Sequence, residues 1–201
     1  MMIIQPMTLE GPRVRLEPLM LDHADALAEF GLDPDLWQYR TEVVQTRDEM
    51  RSYVQNILDR QAAGTEVGFV TIERNSGRVA GSTRFMDIDV RNRGLEIGGT
   101  FIDPRWQRTF VNTEAKYLML RHAFETWGCV RVCLKTDSLN DRSHQAILRL
   151  GAKEEGIFRN HMIMPGGRFR HSIYFSIIDS EWPAVKAHLE AKLDGRNVSS
   201  A

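Results

Sequence analysis

The sequence is short of cysteine, has no long apolar run and carries almost no net charge. Its 26 lysine and arginine residues nearly balance 27 aspartate and glutamate residues, which gives a formal net charge of −1. Near neutrality gives no reason to expect nucleic acid or an anionic membrane as a partner. No apolar stretch approaches the ~20 residues that span a bilayer. Residues 1–13 also lack the basic start and apolar core of a signal peptide.

Cysteine and histidine usage excludes two kinds of stabilising site. If Cys129 and Cys133 lie on one strand, their Cα atoms are roughly 13 Å apart, whereas a disulfide needs a separation within about 7 Å. We therefore expect free thiols in a reducing compartment and a cytoplasmic protein. The six histidines are scattered, with no HxxxH or HxH pair, so we infer no metal site.

Glycine is absent from a segment in which it is expected. The stretch RWQRTFVNTEAK, residues 105–116, lies where an apolar run of strand length passes into a helix. Many α/β proteins bind phosphate at such a junction, and their loops are usually rich in glycine. Two interpretations are open: an anion-binding turn that works without glycine, or a plain capped connection.

The remaining residues predict an ordinary α/β domain. Hydrophobic residues make up 42% and charged residues 26%, and the length suits a single domain over residues 1–201 with a frayed polar tail after about residue 194. Periodicity predicts the order β-α-α-β-β-β-α-β-α-β-β-α. The strand–helix–strand unit from Leu95 to Thr136 predicts a parallel pair with a right-handed crossover. The predicted fold class is therefore α/β (α+β), a mixed, mostly antiparallel sheet with a central parallel strand pair and helices on both faces.

Two predicted helix N-termini converge at the carboxyl ends of the parallel strands. One follows Phe110-Val111, with the helix predicted over Asn112–Thr126, and the other follows Leu139-Asn140. Each offers unpaired backbone N–H groups and the positive end of a helix dipole, which together favour a phosphate.

The order and spacing of short motifs resemble those of one known family. The chain resembles the GNAT superfamily of acetyl-coenzyme A-dependent N-acetyltransferases, in the branch related to ribosomal-protein N-terminal acetyltransferases. The likeness runs from Leu9 to Trp182. It is carried by Glu96-Ile97-Gly98, Phe124-Glu125, Arg131-Val132, Thr136-Asp137, Asn140-Asp141-Arg142-Ser143, Leu150-Gly151-Ala152, Glu155-Gly156-Ile157-Phe158-Arg159, Tyr174-Phe175-Ser176-Ile177 and Glu181-Trp182.

The family's pyrophosphate loop, Gln/Arg-x-x-Gly-x-Gly/Ala, aligns with Gln107 at its first position. Phe110 and Asn112 then replace the two glycines. Asn112 tolerates positive φ better than most residues and can cap a helix. The resemblance implies that the loop binds coenzyme A or acetyl-coenzyme A through Gln107, Arg108, Thr109, Phe110, Val111, Asn112 and Thr113.

Side chains in this loop can compensate for the missing glycines. We expect Thr109, Asn112 and Thr113 to donate hydrogen bonds, and Arg108 to reach a phosphate. The alternative is a capped turn in a domain that no longer binds coenzyme A. Lys116, farther along the helix, is expected on its solvated face.

Acetyl transfer from a thioester to an amine requires a base, an oxyanion donor and a route for the leaving thiolate. Glu96 on the central strand is the candidate base, and its alternative is a strand charge or an ion pair. The resemblance implies that Asn140 binds the pantetheine arm, as the matching asparagine does in the family, with a helix N-cap as the alternative or additional role. Ser143 is the candidate hydroxyl near the thioester sulfur, with a local hydrogen bond as the alternative.

The sequence thus predicts an N-acyltransferase of GNAT type that uses acetyl-coenzyme A and no metal. It transfers acetyl to a primary amine of a protein N-terminus or small molecule, by direct attack in a ternary complex. The alternative is a catalytically inactive GNAT-fold module that binds coenzyme A or another protein. We expect a monomer or homodimer, and the region of Trp37 and Tyr39 is where relatives shape the acceptor pocket.

Overall fold

A computed structural model describes residues 2–195, and its central feature is one eight-stranded sheet. The strands are β1 (Leu9–Glu10), β2 (Val14–Pro18), β3 (Val67–Glu73), β4 (Arg78–Asp89), β5 (Gly94–Ile102), β6 (Arg131–Asp137), β7 (Lys153–Ile163) and β8 (Phe169–Ile178). They lie in the order β1-β2-β3-β4-β5-β6-β8-β7. The pair β5–β6 is parallel and the other neighbours are antiparallel, which confirms the predicted mixed sheet.

Helices cover both faces of this sheet, as predicted. They are α1 (His23–Gly31), α2 (Arg47–Ala62), α3 (Phe110–Arg121), α4 (Asp141–Leu148) and α5 (Trp182–Leu193). One apolar core joins the sheet to α3, α4 and α5, and a second joins its other face to α1 and α2. Within residues 2–195, none of the helices is long and apolar enough to cross a bilayer. The predicted polar tail lies outside the described residues from residue 196 onward.

The parallel strands β5 and β6 pair over only part of their length. Their register runs from Gly94 opposite Arg131 to Glu96 opposite Cys133. Beyond that point each strand continues without the other, β5 to Ile102 and β6 to Asp137. The carboxyl halves of the two strands therefore separate and open the middle of the sheet.

A bulge on β5 shapes one side of this opening. Ser82 pairs with Phe101 and Arg84 pairs with Gly98, so β5 has one extra residue there. Gly99 adopts φ of +59°, and a Cβ at this position would lie 2.5 Å from Nε of Arg84. Glycine is needed at the bulge for both reasons.

Helix α3 begins at Phe110, two residues earlier than predicted, and Asn112 does not cap it. Thr109 is the N-cap: its hydroxyl accepts the N–H of Val111 at 3.3 Å and donates to the carbonyl of Trp106 at 2.7 Å. Positive φ in this turn belongs to Arg108, at +60°. The predicted helix start at Asn112 is wrong, because the Thr109 hydroxyl caps the first turn and leaves Asn112 inside the helix.

The fully buried side chain of Glu114 ties α3 to the start of β2. One carboxylate oxygen accepts the backbone N–H groups of Arg13 at 2.8 Å and Val14 at 2.9 Å. The other accepts Nε of Arg13 at 3.1 Å. A single carboxylate thus satisfies two backbone donors and one side-chain cation, and it holds α3 against the sheet.

We expect Glu114→Gln to lower the free energy of unfolding by about 2–4 kcal/mol, because an amide cannot replace a charged acceptor of three hydrogen bonds. Urea unfolding measures the change. Glu10→Gln, at an exposed position on β1, is the matched control and should stay within about 0.5 kcal/mol of wild type. Equal stability of the two variants would contradict this role for Glu114.

Candidate active site

The N-termini of α3 and α4 lie side by side at the open end of β5 and β6. Gln107 connects them: its side-chain amide donates to the carbonyl of Ile102 at 3.0 Å, and its oxygen accepts Nη1 of Arg142 at 2.9 Å. The predicted convergence of the two helix starts is therefore present. Gln107 joins the end of β5 to the first turn of α4.

The turn before α3 offers backbone donors more than side-chain donors. The N–H groups of Phe110 and Asn112 lie in the first turn, where helix geometry provides no intrahelical acceptor. The hydroxyl hydrogen of Thr109 is donated to a backbone carbonyl, so the expectation that it binds a phosphate is not supported. Arg108 is exposed beside the turn and Thr113 is half-buried.

Phe110 and Asn112, which replace the two glycines of the family's pyrophosphate loop, pack in different ways. The Phe110 ring lies under the guanidinium of Arg13, 4.3 Å from its carbon, and beside the ring of Trp106. Val111 is fully buried. Oδ1 of Asn112 is buried without a hydrogen-bond partner among the described residues. The first turn of α3 thus contains one buried side-chain oxygen, Oδ1 of Asn112, that accepts no hydrogen bond from residues 2–195.

Helix α4 begins with an asparagine cap. Oδ1 of Asn140 accepts the N–H of Ser143 at 3.0 Å, so the N-cap interpretation of Asn140 is correct. Its amide nitrogen is available for a second partner. Ser143 is half-buried in the first turn. A cleft of about 290 Å³ lies here, between the start of α4 and the α1–α2 connection, with Tyr39 and Asn140 in its lining.

Glu96 lies at the last paired position of β5 before the strands separate. Its neighbours Leu95 and Ile97 belong to the core on the α3 side, so Glu96 faces the opposite side of the sheet. The side chain is 4% exposed, and Nζ of Lys135 lies 2.8 Å from Oε2. Burial raises the pKa of Glu96, and the Lys135 cation opposes that rise. The predicted base is thus also part of an ion pair.

A row of polar side chains continues from Glu96 across β6, β8 and β7, and the sequence analysis did not identify it. Nζ of Lys135 is 5.9 Å from the ring centre of Tyr174, whose hydroxyl is 3.4 Å from Nε2 of His161. Nδ1 of His161 is 3.0 Å from the hydroxyl of Ser172. Burial and the charges of Lys135 and Arg170 lower the pKa of His161, which keeps the imidazole neutral near pH 7. The alternation of Ser172 and Tyr174 along one strand was the available signal.

Lys116 lies on the other face of the sheet, under the β5 bulge. Its Nζ donates to the hydroxyls of Thr83 at 2.8 Å and Thr100 at 2.5 Å. The side chain is buried, and burial lowers its pKa to about 7. The expectation that Lys116 is solvated is therefore wrong. Between residues 2 and 195, no group of three or more His, Cys, Asp or Glu side chains could hold a metal ion.

Comparison with known proteins agrees with this geometry. A sequence model of the acetyltransferase (GNAT) domain matches residues 13–153. The chain belongs to the GNAT family of acetyltransferases. The predicted resemblance is thereby confirmed.

Individual relatives cover nearly the whole of this GNAT acetyltransferase. An uncharacterised N-acetyltransferase of Bacillus licheniformis, p20, is 27% identical over 87% of this chain and 98% of its own length. The crystal structure of a GCN5-related N-acetyltransferase from Brucella melitensis is 33% identical, with a TM-score of 0.87 over 98% of this chain and 89% of that one.

A more distant neighbour shares the fold alone. The Salmonella typhimurium enzyme that modifies the N-terminal serine of ribosomal protein L7/L12 is 19% identical, with a TM-score of 0.76 over 86% of this chain and 99% of that one. That structure belongs to the ribosomal-protein branch that the motifs of this sequence resemble.

We expect Lys116→Met to remove a pH dependence of stability. A lysine with a folded pKa of about 7 and an unfolded pKa of about 10.4 binds a proton only in the unfolded chain between these values. Wild-type stability therefore rises with pH in this window, by up to about 1.4 kcal/mol per pH unit relative to Lys116→Met. Urea unfolding from pH 7 to 10 tests this.

The matched control is Lys192→Met, at an exposed position on α5, which should stay within about 0.5 kcal/mol of wild type at pH 7. A constant stability difference between wild type and Lys116→Met across the window would refute the assigned burial of a neutral lysine.

Proposed function

We propose that this GNAT acetyltransferase transfers acetyl from acetyl-coenzyme A to a primary amine of a protein N-terminus or small molecule, by direct attack in a ternary complex. One observation carries the proposal: a buried carboxylate, Glu96, lies at the point where β5 and β6 separate, and the N-termini of α3 and α4 lie at the open end of the same two strands. A thioester entering this opening meets a base on one wall and anion-binding backbone on the other.

The first turn of α3 is suited to the pyrophosphate of coenzyme A. The N–H groups of Phe110 and Asn112 and the helix dipole favour an anion, and exposed Arg108 adds a positive charge. The unpartnered Oδ1 of Asn112 marks a buried amide that can rotate its nitrogen toward an acceptor. Gln107 keeps this turn aligned with α4, where Asn140 has an amide nitrogen for the pantetheine arm.

The reaction removes two protons from the acceptor nitrogen and supplies one to the leaving sulfur. Glu96 accepts the first proton from the acceptor ammonium, and the freed amine attacks the thioester carbonyl. The N–C bond forms as the C–S bond breaks, and the nitrogen releases its second proton to solvent. The leaving thiolate takes a proton from solvent, either directly or through Ser143, which solvent then reprotonates. Burial raises the pKa of Glu96, and this brings it closer to the pKa of the ammonium that Glu96 must deprotonate. Backbone N–H groups released from pairing by the bulge on β5 are candidates to stabilise the oxyanion.

The proposal predicts binding of coenzyme A at the α3 turn. Ligand at about 100 times Kd stabilises a protein by about 2.7 kcal/mol, which raises Tm by roughly 5–10 °C for a chain of this size. Asn112→Asp should raise the Kd at least about tenfold, because it places a negative charge beside the pyrophosphate. Asn56→Asp, exposed on α2, is the control. Equal Tm rises for all three proteins would show that the phosphates bind elsewhere, and no rise in wild type would refute the proposed function.

Glu96→Gln should lower the rate of acetyl transfer by about 10²-fold or more while coenzyme A binding is unchanged. Because a carboxylate base works only when deprotonated, the wild-type rate should rise with pH through the raised pKa of Glu96, and this limb should vanish in the variant. Release of coenzyme A thiol measures the rate, and exposed Glu29→Gln is the control. An unchanged pH–rate profile in Glu96→Gln would exclude Glu96 as the base and direct attention to neutral His161.

A further inference from the structure

The α1–α2 connection, residues 32–46, lies across the opening of the sheet and separates two clefts. The cleft beside α4 contains Asn140, as described above. The other cleft, of about 180 Å³, lies toward the β7–β8 turn and is lined by residues that include Trp37, Arg40, Met164 and Arg168. Gln38 lines both clefts. The two clefts are therefore neighbours. An acceptor bound in the second cleft would lie next to the cleft beside α4, where the acetyl donor is proposed to bind.

Arg40 brings a positive charge to this cleft, and among residues 2–195 no carboxylate lies within 4.0 Å of its guanidinium. Its Nη1 donates to the carbonyl of Thr100 at 3.2 Å and its Nη2 to the hydroxyl of Tyr53 at 3.0 Å. The guanidinium carbon lies 4.9 Å from the ring centre of Trp37. Nε is buried and has no hydrogen-bond partner in the described part of the chain. The group is thus held in place by neutral groups and aromatic rings.

The nearest acidic neighbour in sequence, Glu42, interacts with Arg40 without contacting it: burial acts to raise the pKa of Glu42, and the charges of Arg40 and Arg84 lower it. Glu42 lies 3.5 Å from a guanidinium nitrogen of Arg84, which is buried and also faces Glu66 at 3.2 Å. Within residues 2–195, no ion pair closer than 4.0 Å includes Arg40. Glu42 therefore offsets part of the Arg40 charge from a distance, while Nη1 and Nη2 each keep one N–H for a bound anion.

The opposite wall adds further positive charge. Arg168 pairs with buried Asp137 at 2.6 Å. Behind it, Arg170 donates to the hydroxyl of Ser172 at 3.0 Å and to the carbonyl of Tyr39 at 3.2 Å. Arg40, Arg168 and Arg170 therefore surround this region. Among the described residues, Asp137 is the one carboxylate in contact with these three arginines. The nearby charges of Lys135 and Glu96 compensate each other.

This excess of positive charge is local, because the whole chain has a formal net charge of −1. Its position is also specific. Arg40 is bound to the carbonyl of Thr100, just after the bulge on β5, and Arg168 is bound to Asp137 at the carboxyl end of β6. An anion between these arginines lies at the edge of the opening in which the amine must attack.

We propose that the acceptor carries a carboxylate within a few bonds of the amine that is acetylated, and that Arg40 and Arg168 bind this carboxylate. The inference rests on the proposed function, since it concerns the same opening of the sheet. The carboxylate can belong to a small amino acid or to an acidic residue next to a protein N-terminus. Guanidinium groups bind either one with paired hydrogen bonds.

The first experiment measures binding, so that its result does not depend on turnover. L-serine and L-serinamide form one matched pair, and the peptide amides Ser-Asp-Ala and Ser-Asn-Ala form another; each is titrated into the protein by calorimetry. We expect the carboxylate member of at least one pair to bind about tenfold tighter or more, which corresponds to about 1.4 kcal/mol. The pair that shows the difference identifies the source of the carboxylate.

The variants Arg40→Gln and Arg168→Gln should each abolish this preference and leave the weaker affinity for the amide unchanged. Arg78→Gln, exposed at the start of β4, is the matched control and should keep the preference. Because Arg168→Gln leaves Asp137 unpaired, Arg168→Lys serves as a second variant that keeps the charge and should retain part of the preference.

Equal affinities for both members of each pair, or no binding of any member at millimolar concentration, would overturn the inference. So would an unchanged preference in Arg40→Gln. The rise in Tm with coenzyme A is measured in parallel on every variant. That rise persists if only the carboxylate inference fails, and it is absent if the proposed function fails.

Discussion

The active-site geometry depends on one constraint: β5 and β6 stop pairing after Glu96 and Cys133. Continuous parallel pairing would satisfy the backbone of both strands and leave no room for a ligand in the middle of the sheet. Separation instead leaves backbone groups of both strands without ladder partners, and it places the first turns of α3 and α4 at the edge of the gap. The bulge at Gly99 bends β5 just beyond its last residue paired with β6, and neighbouring Arg84 leaves no space for a side chain there.

The gap is also where the protein keeps ionisable groups out of water. Glu96 and Lys135 neutralise each other on one face of the sheet, and the remaining polar row reaches β7 through Tyr174 and His161. On the other face Lys116 is buried against two threonine hydroxyls, and the described part of the chain places no carboxylate in contact with it. Desolvation therefore raises the pKa of Glu96 and lowers the pKa of Lys116. Both pKa values move toward pH 7, where a group transfers protons most efficiently.

The turn before α3 shows how a helix N-terminus of the kind proposed here to bind phosphate is built without glycine. Arg108 adopts the positive φ that glycine would normally provide, at a cost of about 1–2 kcal/mol. The Thr109 cap and the packing of Phe110 against Arg13 and Trp106 hold the residue in that conformation. The N–H groups of Phe110 and Asn112 still lie in the first turn, where helix geometry provides no acceptor, because every residue other than proline has one.

The sequence by itself determined the order of the elements except the two-residue β1, and it also determined the parallel pair and the family, because periodicity, turn residues and motif spacing are local properties. It placed the start of α3 two residues late, since Thr109 and Asn112 are both good caps and only the tertiary packing of Phe110 chooses between them. The tertiary structure alone decided that Lys116 is buried, that Lys135 neutralises Glu96, and that His161 and the arginines around Arg40 surround the gap. Those residues come from distant parts of the chain, and charge interactions depend on distance in space, which one-dimensional patterns do not contain.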